Sequence, residues 1–275
     1  MKIMKNKKGL IMGVANERSI AWGIAKKLSE EGAELAFSYQ NEGFKKRLIP
    51  LMESINAKKY YECDVSTDIN DESSIEKLFE KISKDWKEID FVVHALAYSD
   101  KEELKGKYVD CSRENFLNSL DISAFSFTRT AKSSLPLMVS KGGSLLTLSY
   151  LGAERTTPNY NVMGVAKSAL EASIKYLAMD LGKSNIRVNG LSAGPVKTLA
   201  GAAISGARHV YRYSENAAPL NFNPELKEIS NSALYLLSNL SSGVTGNIHH
   251  VDGGLHCVAI PKSYDLNNSK LFFSP

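Results

Sequence analysis

A tyrosine and a lysine that could share one face of a helix are the first residues whose types suggest chemistry. Tyr160 and Lys167 are seven positions apart, about two helical turns, so both side chains point the same way if Tyr160 opens a helix. A phenol can hydrogen-bond a carbonyl oxygen on which negative charge forms, and a nearby ammonium favours that charge and can hold a ribose. Packed tyrosines and solvated lysines are common at this spacing, so the position in the fold has to decide whether this pair is catalytic or structural.

A turn that could bind phosphate is the second candidate. The apolar run 9–14 contains Gly13 and is followed by Ser19 and Ile20, where a helical pattern begins. A glycine lets the backbone approach a phosphate, and a helix N-terminus offers free N–H groups and partial positive charge. The run departs from GxGxxG, which leaves an ordinary strand-to-helix turn as the alternative. Its place in the first βαβ unit favours the cofactor turn.

The order of the apolar segments predicts the scaffold for these residues. Short β-rich runs alternate with longer helical patterns, which is typical of βαβ units. The predicted strands are 9–14, 33–39, 59–65, 89–97, 144–151, 186–193 and 247–254. The predicted helices are 20–31, 42–55, 71–86, 112–139, 159–182 and 224–239. Because the runs are apolar on both faces, we expect an α/β fold, a Rossmann-like doubly wound parallel seven-stranded sheet flanked by helices.

The division of the chain follows from the same pattern. The 275 residues contain no linker, so we expect a single dinucleotide-binding domain over 1–260. Segment 198–218 is rich in Ala, Gly and Ser, has no firm period and follows the sixth strand. Ligands bind beyond the carboxyl ends of such strands, so this segment is predicted to be a substrate loop that covers the site. Residues 261–275 are predicted to form a polar tail.

The residues after the second and third strands bear on the choice of dinucleotide. Gln40 stands where an acidic residue commonly holds the ribose of NAD, or an arginine the phosphate of NADP. No basic residue follows at once, so NADH is favoured, although the basic residues at 45–47 leave NADPH as the less favoured alternative. Asp64 and Val65 end the third strand and could meet the adenine ring. A helix or turn cap is the alternative for Asp64.

Composition and charge argue against several classes of protein. A content of 43% hydrophobic and 23% charged residues is that of an ordinary globular protein. The net charge of +4 comes from dispersed lysines, without the basic stripe that nucleic-acid binding needs. No apolar run is long enough for a membrane span. Three cysteines without CxxC spacing favour the cytoplasm, and five histidines without zinc-like spacing favour no metal.

Taken together, the motifs resemble the bacterial enoyl-acyl-carrier-protein reductases of the FabI type, a divergent branch of the short-chain dehydrogenase/reductase superfamily. The resemblance spans about residues 8–260 and is carried by Gly13…Ser19-Ile20-Ala21, Gln40, Asp64-Val65, His94-Ala95-Leu96-Ala97, Tyr150…Tyr160…Lys167 and the run 189–198. The larger superfamily places lysine four residues after the tyrosine, where this chain has Gly164. Six intervening residues, a preceding tyrosine and a single-glycine first turn are the enoyl reductase pattern.

The resemblance implies an activity and a set of roles. Hydride would pass from NADH to the β-carbon of a trans-2-enoyl thioester, the last step of each type II fatty acid elongation cycle. Tyr160 would hydrogen-bond the enolate oxygen, Lys167 would bind the nicotinamide ribose, and Tyr150 would line the acyl site. The implied cofactor contacts are Gly13, Ser19, Ile20, Gln40, Asp64, Val65, Leu96, Lys167, Val196 and Thr198, and the implied substrate contacts are Ala97, Tyr98, Tyr150 and Tyr160.

The resemblance also implies partners. Acyl carrier protein is acidic and would be drawn to Lys197, Arg208 and Arg212, which lie near the cleft by position. A homotetramer is expected because such reductases pack long helices between subunits. Ala95 and Ala97 stand where many relatives have serine and glycine, so only backbone contacts are expected there.

Two alternatives remain open at this point. A ketoreductase or alcohol dehydrogenase of the wider superfamily would need a lysine at position 164 or turnover of a ketone. A dinucleotide-binding protein without turnover would be favoured if Tyr160 or Lys167 were buried away from the cleft, since a binding motif does not prove chemistry.

Overall fold

A single parallel sheet organises the molecule. The structure is a computed structural model and describes residues 2–66, 74–202 and 206–260. Seven strands pair in the order β3-β2-β1-β4-β5-β6-β7. Their bounds are β1 Lys8–Met12, β2 Glu34–Tyr39, β3 Lys59–Glu62, β4 Phe91–His94, β5 Gly143–Ser149, β6 Ile186–Ala193 and β7 Ile248–Val251. All six pairings are parallel, which confirms the predicted fold class.

Helices cover both faces of this sheet. Their bounds are α1 Ile20–Glu30, α2 Glu42–Ser54, α3 Ser74–Asp85, α4 Arg113–Leu120, α5 Ser126–Ser134, α6 Asn161–Leu181, α7 Leu199–Ala202, α8 Ala207–Ala217 and α9 Leu226–Leu237. One core packs α3, α5 and α6 on the sheet, and the other packs α1, α2 and α9 on the opposite face. Burial on both sides explains why β4 begins with three consecutive apolar residues and shows no alternation.

The strand order creates the crevice in which a ligand can bind. The chain runs outward from β1 through β2 to β3 and then returns to β4, which pairs with the other side of β1. The connections after β1 and β4 therefore leave in opposite directions. In open α/β sheets the ligand lies at this switch point, outside the carboxyl ends of the strands.

Two segments differ from their predictions. The single helix predicted over 112–139 is interrupted by a π-helical turn at Asp121–Phe125, which joins α4 to α5. The segment 198–218, predicted as a loop, contains α7 and α8. The predicted helix start at 71–73, part of that segment at 203–205 and the tail 261–275 lie outside the described residues.

The described residues also bear on the membrane question. None of their helices combines the length and apolarity that a bilayer crossing requires.

Candidate active site

A large cleft opens at the carboxyl ends of β1, β4, β5 and β6. Its volume is about 1410 Å³, enough for a dinucleotide together with a second ligand. The predicted site residues on its wall are Gly13, Ser19, Ile20, Leu96, Ala97, Tyr98, Tyr150, Tyr160, Lys167, Val196 and Thr198. The topology therefore brings residues from four separate βα connections to one surface.

The turn after β1 has the geometry that close backbone approach requires. Gly13 has a φ of +94°, and a Cβ there would overlap the carbonyl oxygen of Ala95 after β4. No larger residue fits without moving one of the two loops. Ser19 directly precedes α1, and its hydroxyl donates to the carbonyl oxygen of Asn16 at 2.5 Å. This leaves the N-terminus of an eleven-residue helix facing the cleft.

The tyrosine and the lysine lie on one face of α6, as their spacing predicts. Tyr160 directly precedes the helix, and Lys167 follows two turns later. The Lys167 ammonium donates to the carbonyl oxygen of Leu148 at 2.7 Å. Only 7% of Tyr160 and 6% of Lys167 is exposed, yet both line the cleft. Both side chains are buried at the cleft wall and not away from it, so the arrangement that would favour a dinucleotide-binding protein without turnover is not the one found.

Burial sets the protonation of these groups. It lowers the pKa of Lys167 to about 8, and the nearby charge of Glu171 opposes that change. Burial raises the pKa of Tyr160 far above the ordinary value. It raises the pKa of Tyr150 as well, although a hydrogen bond with Thr157 acts in the other direction. Both phenols therefore keep their protons at neutral pH and can donate hydrogen bonds.

Tyr150 and Tyr160 form a pair. Tyr150 directly follows β5, and its ring meets that of Tyr160 edge to face, with centroids 5.0 Å apart. Aromatic pairs prefer this arrangement because the positive ring edge faces the negative ring face. The contact places two phenols beside each other on the same wall of the cleft.

Two glycines exclude the lysine position of the larger superfamily. A Cβ at Gly164 would lie 2.8 Å from the carbonyl oxygen of Gly152, which belongs to a 3-10 turn at Leu151–Ala153. A Cβ at Gly152 would in turn lie 2.5 Å from the Tyr160 ring. The backbone of the turn therefore packs closely against α6 and the Tyr160 ring, and position 164 has no space for a lysine. This removes the structural basis of the ketoreductase alternative.

Ser149 stands near the place of the catalytic serine in that superfamily, but its hydroxyl is engaged elsewhere. It donates to Oε1 of Glu171 on α6. The hydroxyl that a ketoreductase would direct at its substrate is held by a buried carboxylate.

The wall after β4 is held by buried polar contacts. The Ser123 hydroxyl, on the π-helical turn, accepts from the Tyr98 backbone N–H at 3.0 Å and lies 3.2 Å from its carbonyl oxygen. His94 is fully buried between Thr147 and Ser126, and burial lowers its pKa to about 3. The neutral imidazole is a structural group. These buried contacts therefore hold the backbone from Leu96 to Tyr98 in place where it lines the cleft.

The segment after β6 closes the other side. Thr198 Oγ1 accepts from the Gly201 N–H at 3.0 Å, at the start of α7. Lys197 lies over the Tyr211 ring of α8, with its Nζ 4.7 Å from the centroid. The described part of the predicted substrate loop thus contains two short helices, α7 and α8, that line the cleft.

The residues predicted to meet adenosine lie beyond the cleft wall. Gln40 Nε2 donates to Oδ2 of Asp64 at 3.1 Å, which joins the ends of β2 and β3. Asp64 Oδ1 accepts from the Ser66 N–H at 3.0 Å, so it also caps a turn, as its alternative role predicted. Val65 is buried in the hydrophobic core. None of these three predicted residues is part of the wall that the other predicted residues share.

Comparisons with known proteins agree with this geometry. A family model described as enoyl-(acyl carrier protein) reductase matches residues 13–256. Enoyl-acyl-carrier-protein reductase (NADH) 1 of Rhizobium meliloti (strain 1021) is 53% identical over 258 residues, covering 94% of this chain and 93% of that protein. The chain belongs to the enoyl-acyl-carrier-protein reductase family.

Solved structures of this reductase family have the same fold. FabI from Candidatus Liberibacter asiaticus has a TM-score of 0.91 and 52% identity, covering 95% of this chain and all of that one. The enzyme from Anaplasma phagocytophilum, solved in complex with NAD, has a TM-score of 0.90 and 51% identity, covering 95% and 98% of the two chains.

The reductase cleft also contains residues that the sequence analysis missed. On α8 these are Ala207, Val210 and Tyr211, and on α6 the addition is Met163. The spacing of 207, 210, 211 and 214 is that of one helix face, so the signal was present. The glycines at 201 and 206 obscured it. Met163 falls between Tyr160 and Lys167 on the stripe already predicted.

The reductase shows no metal centre in the part of the chain that the structure describes. Over those ranges no three His, Cys, Asp or Glu side chains are grouped so that they could hold an ion. The three cysteines are free thiols.

Proposed function

We propose that this cleft is where the chain reduces enoyl thioesters. The chain is an NADH-dependent enoyl-acyl-carrier-protein reductase, which converts trans-2-enoyl thioesters to saturated acyl thioesters in the last step of each type II fatty acid elongation cycle. The observation that carries the assignment of the site is the cluster of Tyr150, Tyr160 and Lys167 on one wall, with position 164 closed by Gly152.

The fit of the cofactor rests on the turn after β1. Gly13 makes room for a close backbone approach, and the N-terminus of α1 behind Ser19 offers N–H groups to a pyrophosphate. Ile20, Leu96, Val196 and Thr198 line the same cleft as Lys167. NADH, when bound, supplies the hydride for the β-carbon of the substrate.

The roles of the two tyrosines follow from their protonation. Negative charge forms on the thioester oxygen as the β-carbon is reduced, and Tyr160 donates a hydrogen bond to it. Because burial keeps the phenol protonated, this donor is present before the reaction starts. Tyr150 lies beside it and lines the acyl site with Ala97 and Tyr98. The α-carbon then takes up a proton.

Lys167 acts on the cofactor and not on the acyl chain. Its ammonium is fixed by the Leu148 carbonyl oxygen and is placed to hold the nicotinamide ribose hydroxyls, which orients the ring for transfer.

Oxidation of NADH with a trans-2-enoyl thioester tests this function. We expect rapid turnover of the enoyl thioester, measured as the loss of NADH absorbance, and little turnover of an acetoacetyl thioester. Turnover of the ketone alone would replace the proposal with a ketoreductase, and binding without turnover would leave a dinucleotide-binding protein.

The preference for NADH can be altered at Gln40. Two of the three nearby cations are engaged, since Lys45 pairs with Glu42 at 2.8 Å and Arg47 lies over the Phe44 ring. Gln40→Arg adds a guanidinium where the 2′-phosphate of NADPH would lie. We expect kcat/KM for NADPH relative to NADH to rise by about 10-fold or more, since a charge-assisted pair contributes about 1.5–3 kcal/mol. Gln40→Met is the matched control, and an equal change in that variant would refute the argument.

The acyl carrier protein is proposed to dock at the rim formed by Lys197, Arg208 and Arg212. All three are exposed and line the cleft. Reversing all three charges to glutamate should raise KM for the carrier-bound substrate by about 10-fold, because like charges at a rim slow encounter. KM for a small neutral enoyl thioester should stay the same. An unchanged KM for the carrier-bound substrate rules out this docking site.

The homotetramer and the cytoplasmic location are also proposals. Apolar side chains on α4, the following π-helical turn and α6 are exposed in the single chain: Leu117, Phe125, Tyr176 and Met179. Exposed apolar surface of this kind is typical of subunit interfaces, and light scattering of the purified chain would count the subunits.

A further inference from the structure

A carboxylate that has no role in the proposed reaction lies next to the catalytic lysine. Glu171 follows Lys167 by four residues on α6, which places it on the same face one turn later. Only 8% of Glu171 is exposed. Buried carboxylates are costly unless they are paired or hydrogen-bonded, so this position calls for an explanation.

Glu171 and Lys167 hold two consecutive residues of β5. The Lys167 ammonium donates to the Leu148 carbonyl oxygen, and the carboxylate of Glu171 accepts from the Ser149 hydroxyl. Successive turns of α6 thereby fix successive residues of the strand. Tyr150 comes next in the chain, so these two contacts fix the strand end from which it projects.

We propose that Glu171 is a positioning residue of the reductase, which keeps the Lys167 ammonium charged and held against the strand end. The inference rests on the proposed role of Lys167 toward the cofactor ribose. It assigns to Glu171 no contact with substrate or cofactor.

The charges around Lys167 support this role. Burial lowers the pKa of Lys167 to about 8, and the negative charge of Glu171 acts against that change. His94 at the end of β4 is neutral, because burial and the Lys167 charge lower its pKa to about 3. The Tyr160 phenol is neutral as well, since burial raises its pKa. Among these neighbours the carboxylate is therefore the group whose charge favours the ammonium.

The surroundings of Glu171 include groups from three other elements. Burial raises its pKa, and the Ser149 hydrogen bond from β5 acts against that increase. Glu154, which directly follows the 3-10 turn, raises the pKa further, whereas His250 on β7 and Lys175 on α6 lower it. Glu154 is itself paired with His250 Nε2 at 2.8 Å. Burial keeps the pKa of Glu171 above its ordinary value, and the contacts with Ser149, His250 and Lys175 favour the ionised carboxylate that the proposal requires.

The test is the pH dependence of NADH affinity, measured by fluorescence titration, with kcat/KM for an enoyl thioester measured beside it. For the unmodified chain, we expect affinity to fall as pH rises through about 8, where Lys167 loses its proton. Glu171→Gln keeps the shape and an acceptor for Ser149 but removes the charge. We expect its midpoint to move about one unit toward lower pH, since removal of a neighbouring opposite charge lowers an ammonium pKa by about that much.

Two further variants separate charge from structure. Glu154→Gln removes a neighbouring carboxylate that is bound to His250 and should leave the midpoint unchanged. Glu171→Asp retains the charge and should return the midpoint toward that of the unmodified chain. An unshifted midpoint in Glu171→Gln, or an equal shift in Glu154→Gln, overturns the proposal. Absence of enoyl turnover in the unmodified chain would instead overturn the proposed function, while the binding curves would still report on Glu171.

Discussion

Replacement of Tyr160 by phenylalanine should lower kcat by about 10²–10³-fold, which is the cost of removing one donor to an oxyanion. The ring stays in its buried contact with Tyr150, so the shape of the cleft is retained and only the hydroxyl is lost. Because the donor acts on charge that forms during the reaction, KM for NADH should change little. Steady-state kinetics with saturating NADH measure the effect.

Tyr150→Phe is the matched control for this prediction. Tyr150 lies beside the proposed donor and lines the acyl site, so we expect its removal to affect KM for the thioester more than kcat. If the Tyr150 variant lost more kcat than the Tyr160 variant, the two roles would have to be exchanged.

Lys167→Met should lower activity about as strongly as Tyr160→Phe does. It should change the free energy of unfolding only slightly. Loss of the ribose contact should lower kcat/KM by about 10²-fold or more, because a misoriented nicotinamide loses that much rate. The fold should tolerate the change. A pKa lowered from 10.5 to about 8 corresponds to about 3 kcal/mol of unfavourable burial, which offsets the roughly 1–3 kcal/mol for an unpaired Leu148 carbonyl. Kinetics and thermal unfolding of the same preparation test both parts.

The pH dependence of stability gives an independent check on Lys167. Its folded pKa lies below its ordinary value, so between about 8 and 10.5 the unfolded chain binds more protons than the folded one. The free energy of unfolding therefore rises with pH across that window. Lys167→Met should lack this rise. Urea titrations of both chains at several pH values in this window give the free energy of unfolding as a function of pH. Equal dependence on pH in the two chains would contradict the assignment.

Much of this architecture follows from the sequence because periodicity and turn chemistry are local. Seven strands and five of the six predicted helices lie where their patterns predict, whereas the predicted helix 112–139 is divided into α4 and α5. Tyr160 and Lys167 share a face because seven residues are about two turns. The predicted strand 89–97 runs past the end of β4 at His94. The apolar pattern continues there because Ala95 and Leu96 leave the sheet to line the cleft, and hydropathy does not distinguish these two kinds of burial.

Other features depend on contacts that no local pattern encodes. The π-helical turn at Asp121–Phe125 adds a residue to one turn, and its Ser123 matters only because Tyr98 lies opposite. The hydrogen bond between Gln40 and Asp64 joins two residues that are 24 positions apart in the sequence. The proposed role of Glu171 likewise depends on the packing of α6 on β5, although the sequence shows its four-residue spacing from Lys167.

The contact between Gly152 and Gly164 constrains how such enzymes can diverge from one another. A lysine at position 164 would place its side chain against the Gly152 carbonyl oxygen. Substitution at that position alone therefore does not convert this active-site arrangement into that of the larger superfamily. The 3-10 turn has to move first, and Tyr150 and Tyr160 pack against it. An ancestral or engineered route between the two chemistries therefore requires a change in the backbone of this turn. Side-chain substitutions alone do not convert one active-site arrangement into the other.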